Sequence, residues 1–304
     1  MNSLTSDTPR RLGHIQQSAV HTHGLDVGEY TSDEALAALL DHYPSELMDV
    51  NQYTYDALGQ VKIKAGDRGQ ASGAEMLEAI RKGRMWINLR SIEKGWPQFW
   101  ESASDAFEDV IRAYDHMRPV KRAGQLIISS PGTRVPYHFD AAGVVLFHMR
   151  GIKRMYVYPS DEAHLPERAM EGIVARRTTE ELPYRLDFEN DAEVYELRPG
   201  EALAWPLYAP HRVENGDGLC VSLSLDYQTW ESRARTGALY THAYLREKGM
   251  QPPPVHTVSG IGLALRWIVS VPLRKLKVLG NRISEIPREF VPDANVAGGM
   301  RPIA

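Results

Sequence analysis

The chain has 304 residues, 43 % of them hydrophobic and 24 % charged, the balance of a folded globular protein rather than a disordered one. Thirty-five basic residues against 39 acidic ones give a net charge of −4, which argues against a protein built to neutralise a nucleic-acid backbone. The single cysteine, Cys220, excludes an internal disulfide and any multi-cysteine zinc site, so a metal would have to be held by histidine with aspartate or glutamate.

In chain order, the N-terminal stretch MNSLTSDTPRRLGH lacks the apolar core of a secretory signal, and nowhere do 18 uncharged apolar residues run together. With one cysteine, this predicts a cytoplasmic protein. Residues 1–30 read as a polar lead-in, with His21-x-His23 solvated. Thr31 and Glu34 have capping-box spacing ahead of the apolar run Ala35–Leu40. Ser72 and Glu75 repeat the device before Met76, Leu77 and Ile80, and Gly83 is placed to end that helix. Ala103, Phe107, Val110, Ile111 and Tyr114 share one face at helical spacing. Residues 1–118 are therefore predicted to be a mainly helical region packing on the core, with a short strand at Met85–Leu89.

The texture changes at Pro119. Short runs rich in β-branched and aromatic residues follow at 125–129, 144–149, 154–158, 192–197, 202–205 and 219–225. Pro131-Gly132, Gly151, Pro199-Gly200 and Asn215-Gly216-Asp217-Gly218 punctuate them, which predicts an all-β sandwich or barrel over 119–230. Residues 160–190 form a charged connection with a short helix. Residues 231–304 return to helical composition, broken at Pro252-Pro253-Pro254. There, residues 260–282 interleave Leu263, Leu265, Trp267, Ile268, Leu273, Leu276 and Leu279 with five basic and no acidic residues, and Pro272 would kink the helix. One reading is contact with a membrane surface or a partner. The other is a C-terminal helix pair that packs on the barrel or forms a homodimer.

The chemistry concentrates in Pro131–Asp140. On a strand, residues two apart project to one face, so His138 and Asp140 can share an ion. His211, after the turn Pro206–Pro210, is the best third ligand. Two histidines and a carboxylate on one side of an ion leave the opposite side open, as in non-haem iron oxygenases. In Lys153-Arg-Met155-Tyr-Val157, alternation puts Lys153 on the face of Met155 and Val157. If that face is buried, the ammonium needs an anion. In the opposite register Lys153 is exposed.

These motifs, in this order, resemble the jumonji-C and cupin-like Fe(II)/2-oxoglutarate-dependent oxygenases, nearest in pattern to the asparaginyl hydroxylase that inhibits the hypoxia-inducible factor. The resemblance rests on Pro136-Tyr-His138-Phe-Asp140, the strand Val144–Met149, Gly151-Ile-Lys153-Arg154, Tyr158-Pro159, Pro199-Gly200-Glu201 and the loop Pro206–His211. It covers about residues 119–230. It implies a double-stranded β-helix with helical flanks that binds Fe(II) through His138, Asp140 and His211. It also implies that Lys153 holds the far carboxylate of 2-oxoglutarate, and that O2 drives oxidative decarboxylation to succinate and carbon dioxide with hydroxylation of a substrate. That substrate could be a protein side chain, a metabolite or a lipid, and fold resemblance does not choose.

The pattern also departs from the family. Val135 stands where relatives often carry the threonine that contacts 2-oxoglutarate, and Val144, Leu146 and His148 occupy a strand where an asparagine is common. His148 is either a replacement contact or a core histidine bonded to backbone. Asp226 falls near a pocket asparagine of relatives, and Cys220 reads as a small buried residue. Two other readings stay open: a cupin metalloenzyme without 2-oxoglutarate, such as an isomerase or simple dioxygenase, and a non-catalytic cupin-like regulatory module. Gly200 and His211-x-x-x-Asn215 suit cupins generally, whereas Lys153 is needed only for a dicarboxylate.

Overall fold

A computed structural model describes residues 15–55, 61–114, 117–179, 181–283 and 286–303. Its centre is built from eight consecutive strands: β5 (Lys121–Ser129), β6 (Arg134–His138), β7 (Gly143–Arg150), β8 (Lys153–Val157), β9 (Glu193–Leu197), β10 (Glu201–Ala204), β11 (His211–Asn215) and β12 (Cys220–Gln228). They divide between two facing sheets, in the spatial orders β10-β7-β12-β5 and β6-β11-β8-β9, with antiparallel neighbours throughout. This is a double-stranded β-helix.

The alternation of side chains explains the layering. Val144, Leu146, Met155, Val157, Leu197, Leu203 and Val213 meet between the two sheets. The opposite face of the larger sheet, with Leu126, Ile128, Val145, Phe147, Val221 and Leu223, packs under helices. β7 is apolar almost without a break because both of its faces are covered. The covering helices are α1 (Val27–Thr31), α2 (Asp33–His42), α3 (Gly73–Lys82), α4 (Ile92–Gly95) and α5 (Pro97–Ile111). α5 contributes the fully buried Phe99 and Phe107, each stabilising by roughly 1.5–3 kcal/mol.

The helical flanks also hold strands beyond the one expected at Met85–Leu89. β1 (Ala19–Thr22) pairs with β10, and β4 (Met85–Arg90), β2 (Met48–Tyr55) and β3 (Val61–Gly66) continue the larger sheet beyond β5. β13 (Arg288–Pro292) and β14 (Met300–Pro302) extend it further. β2 and β3 read MDVNQYTY and VKIKAG, with too few large aliphatic residues to signal a strand by composition. The pair His21-x-His23 is not solvated: His21 Nε2 lies 2.7 Å from the Tyr114 hydroxyl, and His23 Nε2 donates to the His148 carbonyl at 3.0 Å. Ser32, not Thr31, caps α2, because Thr31 ends α1 and spends its hydroxyl on the Val27 carbonyl. The box at Ser72 and Glu75 forms as read. Beyond the core, α6 (Glu167–Val174) lies in the 160–190 connection, and α7 (Trp230–Glu247) packs against α8 (Gly260–Lys275).

Candidate active site

The pairing of β11 with both β6 and β8 assembles the site. Register sets His211 opposite His138 on one side and Val157 on the other. Ligand atoms of His138, Asp140 and His211 all lie within 4.8 Å of one another, with His211 Nε2 3.4 Å from Asp140 Oδ2 and the imidazole centroids 4.2 Å apart. Each histidine is oriented by its own strand. His138 Nδ1 donates to the Pro136 carbonyl at 2.8 Å, and His211 Nδ1 to the Ala209 carbonyl at 3.1 Å. A carbonyl can only accept, so both rings carry the proton on Nδ1 and present the Nε2 lone pair. That is the second-contact arrangement of metal-bound histidine. Burial, then the neighbouring His138, holds His211 down to about 4, so it stays neutral and able to ligate. Two imidazoles and one carboxylate, open on one side, suit a divalent first-row ion such as Fe(II).

A cavity of about 490 Å³ adjoins the three residues. Lys153 also lines it, in the inward register: the side chain is 5 % exposed, whereas Arg154 turns out to pair with Glu196. Lys153 Nζ donates to Asn215 Oδ1 at 2.9 Å. The Asn215 amide is fixed in turn by donating to Ser129 Oγ at 2.7 Å and to the Ser130 carbonyl at 3.0 Å. No carboxylate among the described residues pairs with this ammonium, and burial pushes its pKa down. The Thr133 hydroxyl, in the same cavity, is buried without a hydrogen-bond partner. A cation held by a neutral amide, beside an unused donor, is an anion site.

Two expected contacts are not brought to the cavity wall. His148 donates from Nε2 to the Gly151 carbonyl at 3.0 Å, and its Nδ1 accepts from Ser222 Oγ at 3.0 Å. Burial, reinforced by the Lys153 charge, pulls it down to about 3. It is a neutral core histidine with both nitrogens occupied, and the alternative role as a co-substrate contact fails on that count. Asp226 accepts from Ser224 Oγ at 3.4 Å; Ser224 lines the cavity and Asp226 does not. Cys220 is fully buried, its thiol on the Ile152 carbonyl.

The cavity has a floor that sequence reasoning missed. Trp86 and Asn88 of β4, with Gln125 and Ile127 of β5, line it, so the added strands widen the site beyond the eight-stranded core. Arg176 and Glu181 also line it, and Glu181 bridges to His138 through backbone. β4, the strand expected at Met85–Leu89, alternates in MWINLR, so that positions 86 and 88 face the cavity while 85, 87 and 89 enter the core.

A second gathering of potential ligands, Glu167, Glu171 and His242, is already filled by cations. Arg246 Nε contacts both Glu171 oxygens at 2.9 and 3.0 Å, and Arg266 Nε donates to His242 Nε2 at 2.8 Å. It ties α6 to α7 and α8.

No family model matches the chain, and no curated protein matches it. Among solved structures it is similar to the X-ray structure of Escherichia coli YcfD, at a TM-score of 0.47 and 16 % identity, covering 87 % of this chain and 65 % of that one. It is also similar to the E. coli ribosomal oxygenase YcfD in complex with cobalt and 2-oxoglutarate, at 0.45 and 14 %, covering 91 % and 70 %. The complex of the same protein with cobalt and succinic acid matches at 0.42 and 14 %, covering 90 % and 70 %. The chain thus spans about two thirds of the length of these proteins.

Proposed function

We propose that this chain is an Fe(II)- and 2-oxoglutarate-dependent oxygenase that hydroxylates a substrate admitted over the β4–β5 floor. One observation carries the reading: the buried Lys153 ammonium, without a carboxylate partner among the described residues, lines the same cavity as the His138, Asp140 and His211 ligand atoms. A dicarboxylate that met the metal with one end and Lys153 with the other would supply the missing counter-charge. The donor set fits the ion.

When bound, Fe(II) would supply the redox chemistry with O2, and 2-oxoglutarate would supply two electrons as it is cleaved to succinate and carbon dioxide. The chain's own residues do the rest. His138, Asp140 and His211 would hold the ion and would leave it positions for co-substrates. The Pro136 and Ala209 carbonyls hold the two imidazoles in the ligating tautomer. Asn215, anchored on Ser129 and Ser130, holds Lys153 in place, and the buried Thr133 hydroxyl would be free to donate to a bound carboxylate. Trp205, with its ring 4.9 Å from His211, and the apolar wall of Val144, Leu146 and Met155 limit water. A cupin isomerase has no use for Lys153, so the geometry favours the oxygenase.

The test is succinate formation from 2-oxoglutarate with Fe(II) and O2. The protein is expected to release succinate without added substrate, slowly, and His138→Ala is expected to abolish it. No succinate from the intact protein under any metal load overturns the proposal.

A further inference from the structure

α8 carries apolar side chains on both of its faces. The face turned towards α7 holds Leu263, Trp267 and Leu273 together with three polar groups. Arg266 donates to His242, Ser270 is 1 % exposed, and Arg274 donates to the Thr236 carbonyl while lying over the Tyr240 ring at 4.9 Å. The outward face carries Ile261, Leu265, Ile268 and Val271, each more than half exposed, and Leu276 just beyond the helix is 74 % exposed. Positions 261, 265 and 268 follow helical spacing, so these side chains form one continuous stripe. Trp230, 58 % exposed, packs beside it on Trp267 at 5.7 Å. Exposed apolar stripes of this size mark a surface that is covered in use.

Charge says what covers it. Between residues 260 and 283 the chain has five basic side chains and no acidic one, within a protein whose net charge is −4. Lys275, Lys277 and Arg282 are exposed at the end of the stripe. A second copy seated on this face would bring the same lysines and no carboxylate to meet them. An anionic lipid surface meets both features: aliphatic side chains enter the boundary of the acyl layer, tryptophan sits at headgroup depth, and the basic turn faces the phosphates. No described helix is long and apolar enough to cross a bilayer, so the contact would lie in the interface plane. We propose that α8 and the turn after it dock this protein on an anionic membrane surface.

The test is co-sedimentation of the full chain with vesicles of phosphatidylcholine alone or mixed with phosphatidylglycerol, alongside light scattering for mass. The protein is expected to bind the mixed vesicles. The double variant Leu265→Asp/Ile268→Asp is expected to lose binding to both kinds. Lys275→Glu/Lys277→Glu is expected to weaken binding to the mixed vesicles by at least about tenfold. All substituted side chains are exposed, so the variants should melt within a few degrees of the parent. Failure of the parent to bind mixed vesicles overturns the proposal, as does undiminished binding by Leu265→Asp/Ile268→Asp. A dimer in solution that the aspartate variant converts to monomer, without vesicle binding by the parent, assigns the face to a second copy instead.

Discussion

Burying an ammonium group costs several kcal/mol unless a counter-charge comes with it. Lys153 is held by a neutral amide, so the protein without a bound anion carries that cost. Replacing it by methionine, which matches its length, should therefore stabilise the ligand-free protein, by about 1–3 kcal/mol, read as a higher melting temperature. The same variant should lose the stabilisation that 2-oxoglutarate gives the parent. A melting temperature that falls would mean the ammonium is already neutralised. His148 makes a second residue-scale prediction. Its native pKa, about 3, lies below the ordinary 6.5, so the unfolded chain takes up a proton that the native state refuses. Its contribution to stability is intact above pH 6.5, falls as pH drops through that value, and is fully lost near pH 3; the span is at most about 5 kcal/mol. Urea unfolding of His148→Gln should show a flatter pH dependence between these limits than the parent shows.

At the scale of elements, β6 explains both what the residues disclose and what they conceal. His138, Asp140 and His211 are legible because ligand chemistry and strand alternation agree. Thr133 is not. Strict alternation from His138 puts 136 and 134 inward, but a bulge sets four residues of β6, 135 to 138, against three of β11, 211 to 213. That bulge turns Val135 and Thr133 towards the cavity, where a threonine-like hydroxyl is wanted. Asn215 is similarly hidden, because its role exists only through the register that places it opposite Lys153. The helical layer makes a sharper test. A Cβ on Gly73 would meet the Ala37 carbonyl oxygen at 1.9 Å, so α2 and α3 approach only because that position is glycine. Gly73→Ala should cost about 2 kcal/mol or more in denaturant unfolding.

At the scale of the molecule, the sheet has no seam at residue 119. β4 pairs with β5 over five residues, and one buried cluster runs from Ile15 to Phe290. A fragment of residues 119–230, although it contains the whole double-stranded β-helix, should expose the β5 edge and the face that the helices cover. It is expected to aggregate or to lack cooperative melting; a soluble fragment with a sharp transition would contradict this. The N-terminal strands also carry Trp86 and Asn88 to the cavity floor, so the part of the chain whose composition is least informative shapes the substrate's entry. The account as a whole stands on one juxtaposition, a metal-ligating triad and a buried lysine in a single cavity. Calorimetric titration of 2-oxoglutarate into the Fe(II)-loaded protein without oxygen tests it most directly. The account predicts saturable binding by the parent that is absent without the metal and at least about tenfold weaker in Lys153→Met, as for the loss of a charge-assisted contact. Equal affinity in parent and variant, or no binding by the metal-loaded parent, would contradict it.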